Sequence, residues 1–270
     1  MALDRSEPAD LIKLSRDPPG SPIAVITINR PKSLNSLTRP MMVTLAGIIR
    51  QLNSDPTVSV LILTGAGDRA FCSGVDLTAA ESVFKGDVKD PVSDPVKQLE
   101  ACKKPVIGAI NGYAITAGFE IALACDILVA GKDAKFIDTH AKFGIFPSWG
   151  LSQKLSRIIG PMRARQVSLS SMPVSAEMAE KWGLVNHVVE KNSEAVNKAK
   201  EIAEAIIKNN RDLVFKYKAV INDGFNLDLR SALALEKERA HSFYDGMTKD
   251  QFAMMQKFIQ GRSSKTSSKL

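Results

Sequence analysis

Residues 106–129 form the most apolar stretch of the chain, and it carries Asn111, Glu120 and Asp126. Its longest uncharged run falls short of the about 20 apolar residues that a bilayer crossing takes. The stretch reads instead as a buried strand–helix–strand unit. Residues 106–110 suit a strand, small residues open a short helix over 117–125, and a second strand covers 127–130. A unit buried in this way needs a sheet beside it and further helices over it.

The remaining chain supplies both. After a loose stretch at 1–10, extended segments are expected at 11–17 and 23–29, around the turn D-P-P-G-S-P. A helix is expected over 39–53, with Pro40 in its first turn. The run V-S-V-L-I-L-T at 58–64 reads as a buried strand, and residues 80–95 as a polar surface loop. From Gly150 onward the pattern is mainly helical, with apolar positions three and four apart at 194–208, 213–221, 229–243 and 250–259. Strands and helices alternate first and helices follow, which predicts an α/β core with a helical C-terminal appendage.

Composition narrows the function classes. With 44% apolar and 24% charged residues over 270 positions, the chain is no disordered tail, collagen or disulfide-stapled miniprotein. The net charge of +7 is spread, with no run of five or six Lys and Arg, and reads as solvated surface. It would also suit an anionic ligand. No basic patch interleaved with aromatics is present, so nucleic acid is not an expected partner. Cys72, Cys102 and Cys125 are widely spaced without a C-x-x-C, which predicts reduced thiols and no metal site. The N-terminus lacks the apolar core of a signal peptide, and no membrane association is expected. The final residues Ser268, Lys269 and Leu270 match the peroxisomal import address, which a receptor reads. They predict a soluble protein of the peroxisomal matrix that binds this import receptor.

Two motifs bear on chemistry. G-A-G-D-R-A at 65–70 follows a strand and matches G-x-G-x-x-A, but a dinucleotide site would need a helix to start there. The chain continues as A-F-C-S-G-V-D-L, so a simple turn is expected. Glu120 lies between Phe119 and Ile121 in an apolar helix. A carboxylate there must be paired, hydrogen-bonded or raised in pKa. A poised acid/base needs that environment, and a buried ion pair with Lys or Arg would also account for it.

The segments F-C-S-G-V-D-L at 71–77 and N-G-Y-A-I-T-A-G-F-E-I-A-L-A-C-D at 111–126 resemble those of the enoyl-CoA hydratase/isomerase (crotonase) family. So do I-N-R-P-K-S-L-N-S-L at 28–37, F-G-I-F-P-S-W-G at 143–150, L-S-R-I-I-G at 155–160 and S-A-E-M-A-E-K-W-G-L-V at 175–185. The resemblance implies an α/β spiral of ββα units with a helical C-terminal trimerisation region. The implied division is a core over 1–195, a helical region over 196–262 and a flexible tail over 263–270 that carries the import address. The implied activity is hydration of a trans-2-enoyl-CoA to a 3-hydroxyacyl-CoA in fatty-acid β-oxidation. No metal or redox cofactor is implied, because CoA is part of the substrate. A Δ3-Δ2-enoyl-CoA isomerase, a thioester hydrolase and a non-catalytic binding protein remain alternatives.

The resemblance also implies a site. Two backbone N–H groups on separate loops would bind the thioester oxygen, where negative charge grows as the α carbon gains or loses a proton. By resemblance these belong to Ser73 and Ala117, where the family usually has glycine in place of Ala117. Gly74, Val75 and Asp76 would join them in lining the substrate site. Glu120 would be the first of two glutamates that hold the attacking water. The second is replaced: in D-T-H-A-K-F-G at 138–144, His140 stands at its position. His140 could protonate the α carbon, position a neighbour or be inert, and Asp138 is a nearby carboxylate that could substitute. The helices over 227–259 are expected to build a homotrimer or a dimer of trimers, with Phe252, Met254, Met255 and Phe258 as an apolar face or as plain core. The family's CoA-contact pattern is weak in D-Q-F-A-M-M-Q-K-F-I, so no CoA contact is assigned there.

Overall fold

In chain order the strands are β1 (Ile12–Ser15), β2 (Ile23–Ile28), β3 (Val60–Gly65), β4 (Ala70–Cys72), β5 (Val106–Ile110), β6 (Tyr113–Ile115), β7 (Ile127–Gly131), β8 (Lys135–Ile137), β9 (Val174–Ser175) and β10 (His187–Val189). They come from a computed structural model that describes residues 8–79, 81, 83, 90–253 and 256. The tail at 263–270, with Ser268, Lys269 and Leu270, lies outside the described residues, as do Met254, Met255 and Phe258.

Two mixed sheets organise the strands. One has six strands in the order β1-β2-β3-β5-β7-β10, and the other four in the order β4-β6-β8-β9. Only β1 and β9 run antiparallel to their neighbours. Side chains alternate across the larger sheet, as a strand requires. On β3, Leu61 and Leu63 enter the main core while Val60 and Ile62 face a second cluster. That second face is covered by the helix Ala195–Ile207, through Ala195, Ala199 and Ala203. Apolar side chains on both faces explain why these strands read as continuous apolar runs.

The chain crosses between the sheets in a repeating way. It leaves β3 for β4, β5 for β6 and β7 for β8, each time after a short turn. A helix then follows β6 (Ala117–Ala122) and β8 (His140–Phe143). This is the expected spiral of ββα units. The turns are pinned by polar residues of the apolar stretch. Asn111 accepts the Gly65 N–H at 3.0 Å and donates to the Gly65 carbonyl at 2.8 Å. Asp126 accepts the Val106 N–H at 2.7 Å. Residues 65–70 form a turn into β4 with no helix, so no dinucleotide fold is present there.

The strands expected at 23–29, 58–64, 106–110 and 127–130 and the helix at 39–53 form within a residue or two of those limits; the helix is Arg39–Ser54. The helical expectation from Gly150 onward misses β9 and β10, whose two and three residues carry no period. The compact units are Met1–Phe215 and Lys216–Leu270. The helix Ala195–Ile207 packs on the larger sheet, within the first of these units. In the second unit, Lys216 stacks on Phe243 at 4.9 Å and Arg239 pairs with Asp223. Among the described residues no helix is long and apolar enough to cross a membrane.

Candidate active site

β4, β6 and β8 are adjacent and parallel, with Cys72 beside Ala114 and Ile115 beside Ile137. Their C-terminal ends therefore deliver three loops to one place: 73–76, 116–120 and 138–140. Ligands in α/β sheets bind at this end of the strands. These loops line a cleft of about 1360 Å3, whose walls include Ser73, Gly74, Val75, Asp76, Ala117, Glu120 and His140. That exceeds the roughly 300–1,000 Å3 of a typical small-ligand pocket. Lys13, Arg30 and Lys32 also line it.

The first two loops nearly touch. Gly74 has φ +100°, and a Cβ there would lie 3.1 Å from the Ile115 carbonyl and 3.6 Å from the Ala117 nitrogen. Gly118 is tighter, because a Cβ would meet the Cys72 carbonyl at 2.0 Å. The small residues thus let two backbones approach, as the sequence implies. Thr116 has φ 52°, uncommon for a β-branched residue. Its hydroxyl bonds that of Thr139, and its N–H donates to the Ile137 carbonyl at 2.8 Å. This strained residue immediately precedes Ala117, the first residue of its helix, whose N–H has no intrahelical partner.

One implied donor must be corrected. The Ser73 N–H donates to the Leu34 carbonyl at 3.1 Å and is not offered to a ligand. In the same loop Leu37 bridges Val75: the Leu37 N–H donates to the Gly74 carbonyl and the Asp76 N–H to the Leu37 carbonyl, both at 2.8 Å. Val75 takes no part in these bonds, so its N–H turns to the opposite side. Among the described residues, the Val75 and Ala117 N–H groups have no acceptor. Asp76 lines the cleft, but its carboxylate is engaged. It pairs with Arg30 at 2.5 Å and accepts the Thr78 hydroxyl at 2.6 Å and the Thr78 N–H at 3.0 Å. The Thr78 hydroxyl and Arg30 hold its pKa below the usual range against the opposing effect of burial. Asp76 shapes the loop.

Glu120 is 2% exposed. Its Oε1 accepts the Trp149 N–H at 2.9 Å and the Leu151 N–H at 3.3 Å. Leu151 is the first residue of the helix Leu151–Ile159, so the carboxylate satisfies a helix-terminal donor. Oε2 lies 3.7 Å from His140 Nε2. No Lys or Arg pairs with Glu120 among the described residues, which removes the ion-pair alternative. Burial pushes the Glu120 pKa up, opposed by His140 and the two amides.

His140 is itself buried, and its Nδ1 lies 2.7 Å from Asp138 Oδ1. The same oxygen accepts the His140 backbone N–H at 3.0 Å. Burial alone would raise the Asp138 pKa, but the bonds from the His140 ring and backbone N–H hold it below its usual value. Asp138 therefore lies behind His140, bonded to its ring and to its backbone N–H. Cys72 is buried beside the site, and burial pushes its thiol up to about 12, so it is no nucleophile.

Glu120, His140, Ala117 and Val75, all expected from the sequence, line the cleft. The amides of Trp149 and Leu151 are not among the expected residues, although Trp149 lies within the motif F-G-I-F-P-S-W-G. Nor is the support that Asp138 gives His140. The signal for that pairing was the D-x-H spacing, a pattern that favours a local turn bond.

A sequence profile of the enoyl-CoA hydratase/isomerase family matches residues 20–265. An Arabidopsis thaliana protein described as "Probable enoyl-CoA hydratase 1, peroxisomal" is 66% identical over 99% of this chain and 100% of its own length. The short-chain-enoyl-CoA hydratase of Clostridium acetobutylicum is 38% identical over 89% of this chain and 92% of its own. The crystal structure of an enoyl-CoA hydratase from Bacillus anthracis superposes with a TM-score of 0.84, at 33% identity, covering 93% of this chain and 96% of that one.

Proposed function

Because this chain belongs to the enoyl-CoA hydratase/isomerase family, we propose that Glu120 and His140 hydrate an enoyl-CoA whose thioester oxygen rests on the Val75 and Ala117 amides. The chain is an enoyl-CoA hydratase of fatty-acid β-oxidation, and its location is the peroxisome. The reaction draws on no cofactor; CoA enters as part of the substrate.

The observation that carries the residue assignment is the facing pair of Glu120 Oε2 and His140 Nε2, 3.7 Å apart beside two unpaired amides. That separation is too long for a direct hydrogen bond and lets one water touch both atoms. The Glu120 carboxylate takes a proton from water as the oxygen bonds to the β carbon. Electron density moves through the double bond to the thioester oxygen, where the two N–H groups stabilise the charge. His140 Nε2–H then delivers a proton to the α carbon. Glu120 keeps the proton from water and His140 has lost one, so transfer from Oε2 to Nε2 through the next water to enter resets the site. The exposed Lys13 and Lys32 suit the anionic CoA.

Two partner assignments belong to this reading. The helices Arg211–Phe225 and Leu229–Asp245 contain no buried residue and carry exposed Tyr217, Ile221, Phe225, Leu229 and Leu233. Apolar surface of this extent supports a homotrimer or a dimer of trimers. Ser268, Lys269 and Leu270 address the chain to the import receptor.

The test is incubation of the purified protein with trans-2- and trans-3-enoyl-CoA. Loss of the 2-enoyl chromophore with formation of 3-hydroxyacyl-CoA is expected. Conversion of the 3-enoyl substrate alone, or release of free CoA, would overturn the hydratase assignment.

A further inference from the structure

We infer that Asp138 is a positioning residue for the hydration, locking the His140 ring with its proton on Nδ1 and with Nε2 turned to Glu120 and the cleft. This inference rests on the role proposed for His140. A histidine that faces a carboxylate across a site meets a problem that a second carboxylate does not. Its two ring nitrogens are inequivalent, and only one can face the reacting carbons.

The geometry resolves that choice. A carboxylate only accepts hydrogen bonds. Asp138 Oδ1 lies 2.7 Å from Nδ1, so Nδ1 carries the proton. The backbone N–H of His140 reaches the same oxygen at 3.0 Å, so ring and backbone are tied to one point. Asp138 and His140 are 2% and 6% exposed, so water does not compete well for these bonds. With Nδ1–H fixed, Nε2 is the only ring position that gains or loses a proton. Across from it, Glu120 Oε1 is held by the Trp149 and Leu151 amides, leaving Oε2 to face Nε2. One proton thus moves between two defined atoms. Asp138 touches neither water nor substrate in this arrangement; it acts through His140.

The experiment uses the full-length protein. Only three histidines occur, His140, His187 and His241, so ring-nitrogen NMR of histidine-labelled protein is assignable by comparison with H140Q. The expected wild-type spectrum shows His140 Nδ1 protonated, either alone or as imidazolium. In D138A the ring is released toward the Nε2–H form that free imidazole prefers. A positioned acid/base contributes about 10^2–10^4-fold, so losing its position is expected to lower kcat roughly tenfold or more. KM for the enoyl-CoA should stay within about twofold, because the thioester amides are untouched. Adding D138A to H140Q should cost no further kcat, since both changes disable one ring. A purely structural Asp138 would instead lower kcat additively. Should D138A fail to fold, D138N, which keeps an acceptor oxygen, and the wild-type spectrum carry the test. An unprotonated Nδ1 in the wild type, or a folded D138A with unchanged kcat while H140Q is impaired, overturns the inference. If H140Q itself retains full kcat, the proposed role of His140 fails instead.

Discussion

Glu120 and Asp138 are both buried carboxylates, yet their surroundings push them in opposite directions. Burial dominates at Glu120 and raises its pKa. Its contribution to stability is therefore present below the unfolded value and lost as pH rises through the folded one. E120Q keeps an oxygen for the Trp149 and Leu151 amides while removing that buried charge. Its urea midpoint is expected to match or exceed the wild type at neutral pH, with the difference shrinking as pH falls through the raised folded value and gone below about pH 4.3. Its kcat is expected to fall about 10^2–10^4-fold with little change in KM, measured by steady-state hydration. At Asp138 the hydrogen bonds win, so its contribution is present above about pH 3.9 and fades as pH falls through the folded value. D138N should therefore unfold at lower urea than the wild type at pH 7, and the gap should close in acid. Glu120 was legible in the sequence because a carboxylate inside an apolar helix demands an explanation. The choice between Ser73 and Val75 was not. Which way each N–H points along residues 73–76 depends on the pairing with Leu34 and Leu37, roughly forty residues earlier in the chain.

At the scale of elements, the site depends on three parallel strands ending side by side, and on the close seat of the Ala117–Ala122 helix against the end of β4. Gly118 makes that seat possible. G118A would drive a methyl group into the Cys72 carbonyl. It is expected to destabilise the protein by about 1–3 kcal/mol, read from chemical denaturation. Whatever folded fraction remains should lose kcat more than substrate binding, because the Ala117 amide moves. The long strands and the Arg39–Ser54 helix were legible because their apolar patterns run for many residues. The strands β4, β6, β8, β9 and β10 have two or three residues each, too short for a period to declare itself. Three of these short strands carry the site. Its positions came instead from the motifs, and the architecture that joins them came from the fold.

For the whole molecule, the last two helices raise the question of association. A 17-residue helix without one buried residue, Leu229–Asp245, is poorly stabilised alone, since helices in water draw most of their stability from packing. A second copy of this chain is the partner the family membership supports. Light scattering is expected to give three or six times 29.3 kDa, and a monomer would contradict that assignment. Removing Ser268, Lys269 and Leu270 from a fluorescent fusion is expected to shift it from peroxisomes to the cytosol, by microscopy.

The central claim is that two amides from separate loops hold the thioester oxygen while Glu120 and His140 handle protons and water. The most direct measurement is a crystal structure with a 3-hydroxyacyl-CoA bound. The expected result has the thioester oxygen about 2.7–3.2 Å from the Val75 and Ala117 nitrogens, with Glu120 Oε2 and His140 Nε2 facing the β and α carbons. A thioester oxygen bound elsewhere, with those two N–H groups turned away from it, would contradict the account.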